Sequence, residues 1–441
     1  LQEFHFGQFL EMIGNDAFSS CLSFSEIYIP SNVKSVGYRC FKNCKNLQKI
    51  KVDPYVTKFQ DDSFDGCDSL NTLFISTLKT EIPPLMTKAF ISIPRIVITK
   101  TVVLIEDNCF SNYFGLRKII FPNCLKYIGK YAFSNCVKLT NIEIPEMVEE
   151  IKEGCFYRST SLKEIHINSK IIGIEKDTFN GCSSLFKINI PNNVLYIGEN
   201  AFYRCSSLVN IQLNNNLERI ESEAFKECIN MVQIQIPPKI QVISEGAFYD
   251  CIKLERVIFV NENIERIKSF AFMNCSSLTK ISIPHSVEEI GESAFSGCES
   301  LFKIEIPEKV VELNDKLLYA IENCIESPHR ILFLNIYAEI FPSFFPDCNS
   351  IDLNFLLAIQ SPIFSYCVNR HPDSDEACQL WFHSLASSQG SEIFKDNYEL
   401  ALSYFKIMNH AFFQISVTTT QAAQQEESFV NAQKAMKSAI V

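Results

Sequence analysis

One short pattern, Leu-x-x-Ile-x-Ile-Pro, recurs through the first two thirds of the chain and constrains the fold more than any other feature. Successive copies are 23 residues apart, except for one step of 24 residues between Leu254 and Leu278. The 14 copies begin at Leu1, Phe24, Leu47, Leu70, Ile93, Leu116, Leu139, Leu162, Leu185, Leu208, Met231, Leu254, Leu278 and Leu301. A constant period of about 20 to 50 residues indicates a repeat array rather than a series of globular domains.

Each copy predicts one short β-strand. In the copy that begins at Leu139, Ile142 and Ile144 alternate with polar residues, which is the period of a strand with one buried face. Pro145 then ends the strand, because proline has no N–H to donate to a ladder. Val148 and Ile151 follow at a spacing of three, which favours tight turns or 3₁₀ pieces over a long α-helix.

A single strand of this length has no core of its own, so equivalent units are expected to stack and bury their apolar side chains against one another. We therefore predict that residues 1–313 form an α/β repeat solenoid. It would be a curved array of about 14 parallel strands with a convex side of 3₁₀ and other tight turns.

A column of phenylalanines gives the predicted stack its clearest detail. The column contains Phe18, Phe41, Phe64, Phe90, Phe110, Phe133, Phe156, Phe179, Phe202, Phe225, Phe248, Phe272 and Phe295. The residue before each of them is Ala, Cys, Ser or Thr, which indicates a close backbone approach beside each ring. Phe90 lies three residues late in its unit, and we expect a bulged or twisted unit there, either as a specialised binding turn or as tolerated drift.

Most of the 18 cysteines also follow the repeat, which argues against a disulfide framework or a metal site. Ten of them lie three residues after a column Phe: Cys21, Cys44, Cys67, Cys136, Cys182, Cys205, Cys228, Cys251, Cys275 and Cys298. Elsewhere the same position is taken by Ile93, Tyr113 and Ser159. We therefore predict buried, reduced thiols, which suit an intracellular protein better than a secreted one.

No set of residues has the spacing of a catalytic, cofactor or metal site. The sequence contains no His-Glu-x-x-His, Gly-x-Ser-x-Gly, P-loop or Gly-x-Gly-x-x-Gly motif. Cys367, His371 and Cys378 form the one cluster of thiols and imidazole, and no Cys-x-x-Cys pair supports them as a zinc site. We expect no enzyme activity and no cofactor. The formal net charge of −11 argues against a nucleic-acid partner, and no apolar run predicts a membrane span.

The side chains between the buried strand positions are predicted to line the concave face of the solenoid. They are basic and aromatic in the early strands and rich in amides from Asn189 to Gln235. The candidate partner-binding residues are Tyr28, Lys49, Lys51, Phe74, Arg95 and Lys118, which include residue types that dominate interface hot spots. Two interpretations stay open: this face binds a partner, or it is a solvated surface whose amides hydrogen-bond along the stack.

The repeat fails after Leu313, so a second region is predicted over residues 314–441. We expect it to be α-helical, with helices near 351–359, 375–387 and 397–413, and to end in a polar tail. The part near residues 375–413 resembles one unit of a tetratricopeptide- or Sel-like helical repeat.

The 23-residue unit closely resembles the BspA-like leucine-rich repeat. The stretch from Cys275 to Phe295 carries the resemblance and reads Cys-Ser-Ser-Leu-Thr-Lys-Ile-Ser-Ile-Pro-His-Ser-Val-Glu-Glu-Ile-Gly-Glu-Ser-Ala-Phe. Members of that family look like surface or secreted proteins of bacteria and protists that bind host proteins or other cells. The resemblance over residues 1–313 therefore implies a protein-binding, adhesin-like surface antigen. The alternative is a cytoplasmic scaffold that joins the solenoid to a helical interaction module and binds an intracellular protein.

Overall fold

The computed structural model describes residues 6–7, 9–55, 58–84, 88–99, 101–301 and 303–305. Within them the chain forms a parallel β-solenoid of about 12 turns, and every strand pairing is parallel. One continuous apolar core runs through the array from Ile13 to Leu301. The predicted boundary at residue 313 and the predicted C-terminal helices lie outside the described residues.

Each repeat contributes strands to two separate ladders. The long strands are β2 (Glu26–Ile29), β4 (Lys49–Val52), β6 (Thr72–Ile75), β8 (Arg95–Ile98), β10 (Lys118–Ile120), β12 (Asn141–Glu143), β14 (Glu164–His166), β16 (Lys187–Asn189), β19 (Gln233–Ile236), β21 (Arg256–Phe259), β23 (Lys280–Ser282) and β25 (Lys303–Glu305). The short strands are β1 (Met12–Ile13), β3 (Ser35–Val36), β5 (Lys58–Phe59), β7 (Glu81–Ile82), β9 (Leu104–Ile105), β11 (Tyr127–Ile128), β13 (Glu150–Ile151), β15 (Gly173–Ile174), β17 (Tyr196–Ile197), β18 (Arg219–Ile220), β20 (Val242–Ile243), β22 (Arg266–Ile267) and β24 (Glu289–Ile290).

The long strands occupy the predicted Leu-x-x-Ile-x-Ile positions. The strand expected after Leu1 falls on residues 1–5, outside the described part of the chain. The strand expected after Leu208 is reduced to one bridge between Asn210 and Gln233. The other 12 predicted strands are present, and the register joins residues 23 positions apart, such as Glu26 with Lys49.

The expected tight turns follow the long strands, but the sequence did not predict the second ladder of short strands. Val148 and Ile151 are both buried, but Glu150 and Ile151 form β13, which pairs with β11 of the preceding repeat. The turn at residues 146–147 places the chain in position for this second ladder, and stacking then supplies its hydrogen-bond partners. The described repeats contain one 3₁₀ helix, Lys88–Phe90, and no α-helix, so the expected α/β class does not hold for them.

The third side of each repeat carries the phenylalanine column. Outside the repeat of Phe90, consecutive rings stack with centroids 5.2–5.8 Å apart and planes within 16° of each other, as between Phe202 and Phe225 at 5.2 Å and 2°. In most repeats the small residue before the column Phe supplies a carbonyl acceptor to the preceding repeat: the Phe110 N–H donates to the Ala132 oxygen at 2.8 Å. This bond confirms the close backbone approach that the small residues indicated.

Flanking residues extend the same backbone ladder. The N–H groups of Asn108 and Asn112 donate to the carbonyl oxygens of Lys130 and Ser134, both at 2.8 Å. Asn108 and Asn112 have φ of 58° and 65°, in the left-handed region that asparagine adopts more readily than most residues. These two conformations turn alternate N–H groups toward the next repeat.

The repeat of Phe90 departs from the regular stack, as its spacing predicts. Its ring lies 5.6 Å from Phe64 but is tilted by 36°, and Phe59 contacts it edge-on at 4.8 Å. The short-strand sheets are also separate here, since one ends at β5 and the next begins at β7. The long strands β2 to β10 nevertheless form one five-stranded sheet that passes across this irregular repeat.

Cysteine thiols form a further ladder inside the core. Each donates to the carbonyl oxygen of a column Phe in the preceding repeat, with S···O distances of 3.0–3.3 Å, at Cys44, Cys67, Cys136, Cys182, Cys205, Cys228, Cys251, Cys275 and Cys298. Ser159 occupies the same position, and its hydroxyl donates to the Phe133 oxygen at 2.8 Å. In these ten repeats the position holds a small side chain that donates a hydrogen bond, whereas Ile93 and Tyr113 occupy it in the repeats of Phe90 and Phe110.

Candidate functional site

The outward side chains of the long strands form the face on which the sequence predicts binding. Along β2, Ile27 and Ile29 point into the core while Glu26 and Tyr28 are exposed, and most other long strands alternate in the same way, although Thr72 on β6 is buried. Each strand therefore offers two outward residues, and the register aligns them in two rows along the solenoid axis. In the sheet β2–β10 the first row is Glu26, Lys49, Thr72, Arg95 and Lys118, and the second row is Tyr28, Lys51, Phe74, Val97 and Ile120.

These ten residues are called the N-terminal patch. The patch contains all six candidate partner-binding residues of the sequence, and one continuous sheet holds them together. Lys49, Arg95 and Lys118 lie in the first row. Tyr28, Lys51 and Phe74 are direct neighbours in the second row. Adjacent strands of a sheet are about 4.8 Å apart, so the patch extends about 19 Å along the solenoid.

The patch is positively charged within an acidic chain, since its ten residues include four Lys or Arg and one Glu. Two of the cations are engaged internally. The Lys49 ammonium lies 3.6 Å from the Glu26 carboxylate, and the Lys51 ammonium lies 4.8 Å from the centre of the Tyr28 ring. Burial and the nearby Asp53 raise the pKa of the Tyr28 hydroxyl, so it stays neutral.

Arg95 and Lys118 differ from these two cations. Both are exposed, they are paired in register, and neither forms an ion pair or a side-chain hydrogen bond with any residue that the structure describes. Thr72, which precedes Arg95 in the first row, is buried and donates to the Asn71 side chain at 2.7 Å. Thr72 therefore does not project beside Arg95, and the guanidinium of Arg95 is accessible.

The second row carries the apolar part of the patch. Phe74, Val97 and Ile120 are aligned on β6, β8 and β10, and each is half-buried although it points away from the core. Partly exposed apolar side chains next to cations are typical of the core and rim of a protein interface.

A groove of about 740 Å³ lies farther along the same face, between Asn141 and Asn214. The outward residues of β12, β14 and β16 line it, among them Glu143, His166 and Lys187. None of the six candidate residues reaches it. The clustering of amides was the one sequence signal for this part of the face.

Several of these amides stabilise the array rather than face a partner. The Asn189 side chain accepts from the Ile167 N–H and donates to the Ile167 oxygen, both at 2.9 Å. Asn168 and Asn214 donate to the oxygens of Pro145 and Pro191, at 2.7 and 2.8 Å. They bond to backbone groups of the preceding repeat rather than to one another.

Other amides on the face are exposed to solvent. Gln212, Gln233 and Gln235 are exposed and make no side-chain hydrogen bond to the part of the chain that the structure describes. The interpretation that amides hydrogen-bond along the stack therefore holds for Asn168, Asn189 and Asn214, and partner binding by the exposed glutamines stays a prediction.

The described residues contain no group of three or more His, Cys, Asp and Glu that could hold a metal ion. The cluster of Cys367, His371 and Cys378 lies outside them. Among the same residues, no helix has the length and apolar character needed to cross a membrane.

Solved structures of leucine-rich repeat proteins resemble this fold. One from Bacteroides ovatus is 28% identical, with a TM-score of 0.54, over 68% of this chain and 76% of that chain. One from Eubacterium ventriosum is 26% identical over 69% of this chain and 78% of its own, with a TM-score of 0.40. A leucine-rich cell surface protein from Faecalibacterium prausnitzii is 23% identical over 69% and 86%, with a TM-score of 0.31. A comparison with curated proteins found no match.

The family described as the BspA type leucine-rich repeat region matches the sequence in overlapping segments. They cover residues 1–112, 86–209, 173–275, 196–326 and 256–371. The period, the stacked phenylalanine column and this match agree, and the chain belongs to the BspA-type leucine-rich repeat family.

Proposed function

We propose that this protein is a non-enzymatic binding solenoid that holds a protein partner on the N-terminal patch. One observation carries the proposal: Arg95 and Lys118 form no ion pair with the described residues and lie beside the half-exposed row of Phe74, Val97 and Ile120 on a single sheet. A rigid sheet with fixed side-chain spacing is a suitable platform for binding, because little ordering is needed when the partner arrives.

The repeated residues support the same proposal, because most of them have structural partners. The phenylalanine rings stack on one another, the column thiols donate to carbonyl groups, and Asn168 and Asn214 hold the ends of the long strands. The outward positions of the long strands vary from repeat to repeat and carry the information that distinguishes one partner from another.

Two settings are compatible with such binding. Membership of the family supports a surface adhesin whose partner is a host or cell-surface protein. A specific observation favours the cytoplasmic scaffold as the second candidate: Cys44, Cys67, Cys136, Cys182, Cys205, Cys228, Cys251 and Cys275 are free, buried thiols. In that case residues 1–313 would act together with a helical module over 314–441.

Alkylation under denaturing, non-reducing conditions, followed by mass spectrometry, tests the setting on protein from its natural source. We expect the column thiols to be alkylated completely. Disulfides at most of these cysteines would contradict the scaffold and place the protein in an oxidising compartment.

The binding surface is tested by changing Tyr28, Phe74 and Arg95 together to Ala in the full chain. Capture of the partner from native extracts is expected to fall at least about tenfold, because hot-spot residues contribute most of the binding energy. Gln233, Arg256 and Ile258 changed together to Ala provide the matched control, since they occupy the same two rows on β19 and β21. Capture that survives the first change, with unaltered thermal unfolding, would place the site elsewhere.

A further inference from the structure

We infer that the N-terminal patch binds an extended polypeptide segment that combines acidic with apolar side chains and lies along the solenoid axis. The inference rests on the proposed function and names the chemistry of the partner. Its two requirements are a row that attracts carboxylates and a parallel row that buries apolar groups, and the patch has both.

The charge requirement follows from how this solenoid treats its other cations. Many of them are paired with an acid one repeat away, at 2.8–3.1 Å, as in Lys126–Glu149, Lys130–Glu153, Lys176–Glu199 and Arg204–Glu227. Arg95 is followed one repeat later by another cation, Lys118, and neither has an acidic neighbour within ion-pair distance among the described residues. A carboxylate-bearing segment placed over this pair would neutralise both charges.

The apolar requirement separates the patch from other cationic positions on the same face. Arg256 and Lys280 are also aligned in the first row, on β21 and β23, and they too make no ion pair with the described residues. The second row beside them contains Gln235, Ile258 and Ser282, so only one of its three members is apolar. Beside Arg95 and Lys118 the second row is apolar at three consecutive strands.

The spacing of the two rows suits an extended segment. The rows are two residues apart along each strand, which is about 6.6 Å, and their members recur every 4.8 Å or so along the axis. A segment that runs between the rows directs alternate side chains to either side, and its side chains on one side are about 6.6 Å apart along the axis. This spacing is larger than the 4.8 Å or so between neighbours in a row. The long side chains of Arg95 and Lys118 reach far enough to accommodate the difference.

A polyanion without apolar groups fits less well. Lys49 and Lys51 are already engaged with Glu26 and Tyr28, so the patch lacks the continuous row of available cations that a polyanion needs. A sulfated glycan or nucleic acid would also leave Phe74, Val97 and Ile120 without apolar contacts. These features favour a polypeptide over the other anionic macromolecules.

The test measures binding of fluorescent peptides of about 12 residues to the full chain, a length that exceeds the patch when extended. The acidic probe alternates Glu with Ile and Phe, and the basic probe has Lys in place of Glu. A polyglutamate of equal length and a heparin fragment complete the set. We expect saturable binding of the acidic probe, weakened when the salt concentration rises from about 0.1 M to about 1 M, because screening shortens the range of charge attraction.

Charge reversal locates the site. Arg95→Glu with Lys118→Glu is expected to weaken binding of the acidic probe at least about tenfold, since like charges replace attraction with repulsion. Arg256→Glu with Lys280→Glu makes the same charge change in the same row and is expected to alter binding less than about twofold. Unchanged thermal unfolding of both variants shows that the fold is intact.

Several outcomes would overturn the inference. They are equal loss of binding in the two reversal variants, equal binding of the basic probe, equal binding of polyglutamate, and patch-dependent binding of heparin that is tighter than that of the acidic probe. The proposed function fails separately. If the triple Ala variant no longer captures the natural partner but the variant with Arg95 and Lys118 reversed still does, the proposed function stands and the inferred chemistry is wrong.

Discussion

The thiol of Cys182 donates a hydrogen bond to the carbonyl oxygen of Phe156, with 3.1 Å between sulfur and oxygen. One repeat earlier the hydroxyl of Ser159 makes the equivalent bond to Phe133 at 2.8 Å. The two residues differ in polarity but agree in size and in having a donor. A buried carbonyl that faces the core of the next repeat therefore favours a small donor at this position, although Ile93 and Tyr113 occupy it in two other repeats.

This relationship predicts different costs for two substitutions of Cys182. Cys182→Ala removes the donor and leaves a small cavity, so the free energy of unfolding should fall by about 1–2 kcal/mol. Cys182→Ser keeps a donor, and the loss should be smaller. Urea unfolding of the two variants measures the difference. A serine variant less stable than the alanine variant would show that burial of the sulfur, not the hydrogen bond, decides the position.

The same thiol predicts a dependence of stability on alkaline pH. Burial raises the pKa of Cys182 from its ordinary value of 9.0 to about 12. Between these two pH values the folded protein keeps a proton on Cys182 that the unfolded chain releases. The contribution of this thiol to the free energy of unfolding is therefore fully present below pH 9 and declines as the pH rises toward 12.

Urea unfolding at pH 8 and at a pH between 9 and 12 provides the measurement. Cys182→Ser removes this titrating group and should reduce the alkaline loss of stability relative to the unaltered protein. An identical pH dependence in both proteins would contradict the assignment.

The phenylalanine column predicts a large effect of one buried ring. Phe225 is stacked between Phe202 and Phe248, at 5.2 and 5.5 Å, with planes 2° apart in both cases. Phe225→Ala should reduce the free energy of unfolding by about 3–5 kcal/mol, because it leaves a cavity inside the stack. Phe186, which is 50% exposed, is the matched control, and Phe186→Ala should cost less than about 1 kcal/mol. Similar costs for the two changes would refute the stacked core.

The irregular repeat predicts that one glycine cannot be replaced. Gly115 occupies the position of Ser184 and Ser207 in other repeats, but a Cβ at Gly115 would collide with the backbone of Ser92. Its N–H donates to the Ile91 oxygen at 2.7 Å, which holds the two segments together. Gly115→Ser should therefore destabilise the protein by about 1–3 kcal/mol, although the repeat pattern would accept it.

Thermal unfolding of Gly115→Ser measures this effect, with Ser207→Gly as the converse change at a regular repeat. If Gly115→Ser is as stable as the unaltered protein, the close approach of the two segments at Phe90 is not rigid.

Much of the array was predictable because its signals are local and repeated. The alternation around Ile142 and Ile144 marks the long strand, the position of Phe133 and its equivalents marks the ring stack, and the late arrival of Phe90 marks the irregular repeat. An atypical residue in one repeat does not change the prediction for that repeat, because stacking requires all repeats to adopt the same conformation.

The second ladder and the roles of the amides were not predictable in the same way. Val148 and Ile151 indicate burial, but the pairing of Ile151 with Ile128 depends on where the turn places the backbone. Asn189 and Gln212 are 23 residues apart and both carry amides, but Asn189 bonds to the Ile167 backbone in the preceding repeat whereas Gln212 is exposed. Residues of consecutive repeats, from Asn141 to Asn214, line the groove beside them, and no residue spacing encodes its shape.

The sequence by itself determined the period, the parallel stacking, the buried columns and the six candidate residues of the binding face, because each follows from side-chain pattern and volume. Only the tertiary structure decided that those six residues share one sheet and that the thiols donate to carbonyl groups. It also decided that Lys49 and Lys51 are engaged while Arg95 and Lys118 have no ion-pair partner in the part of the chain that it describes. These properties depend on distances between groups about 20 or more residues apart, and stacking sets those distances only once the whole array has formed.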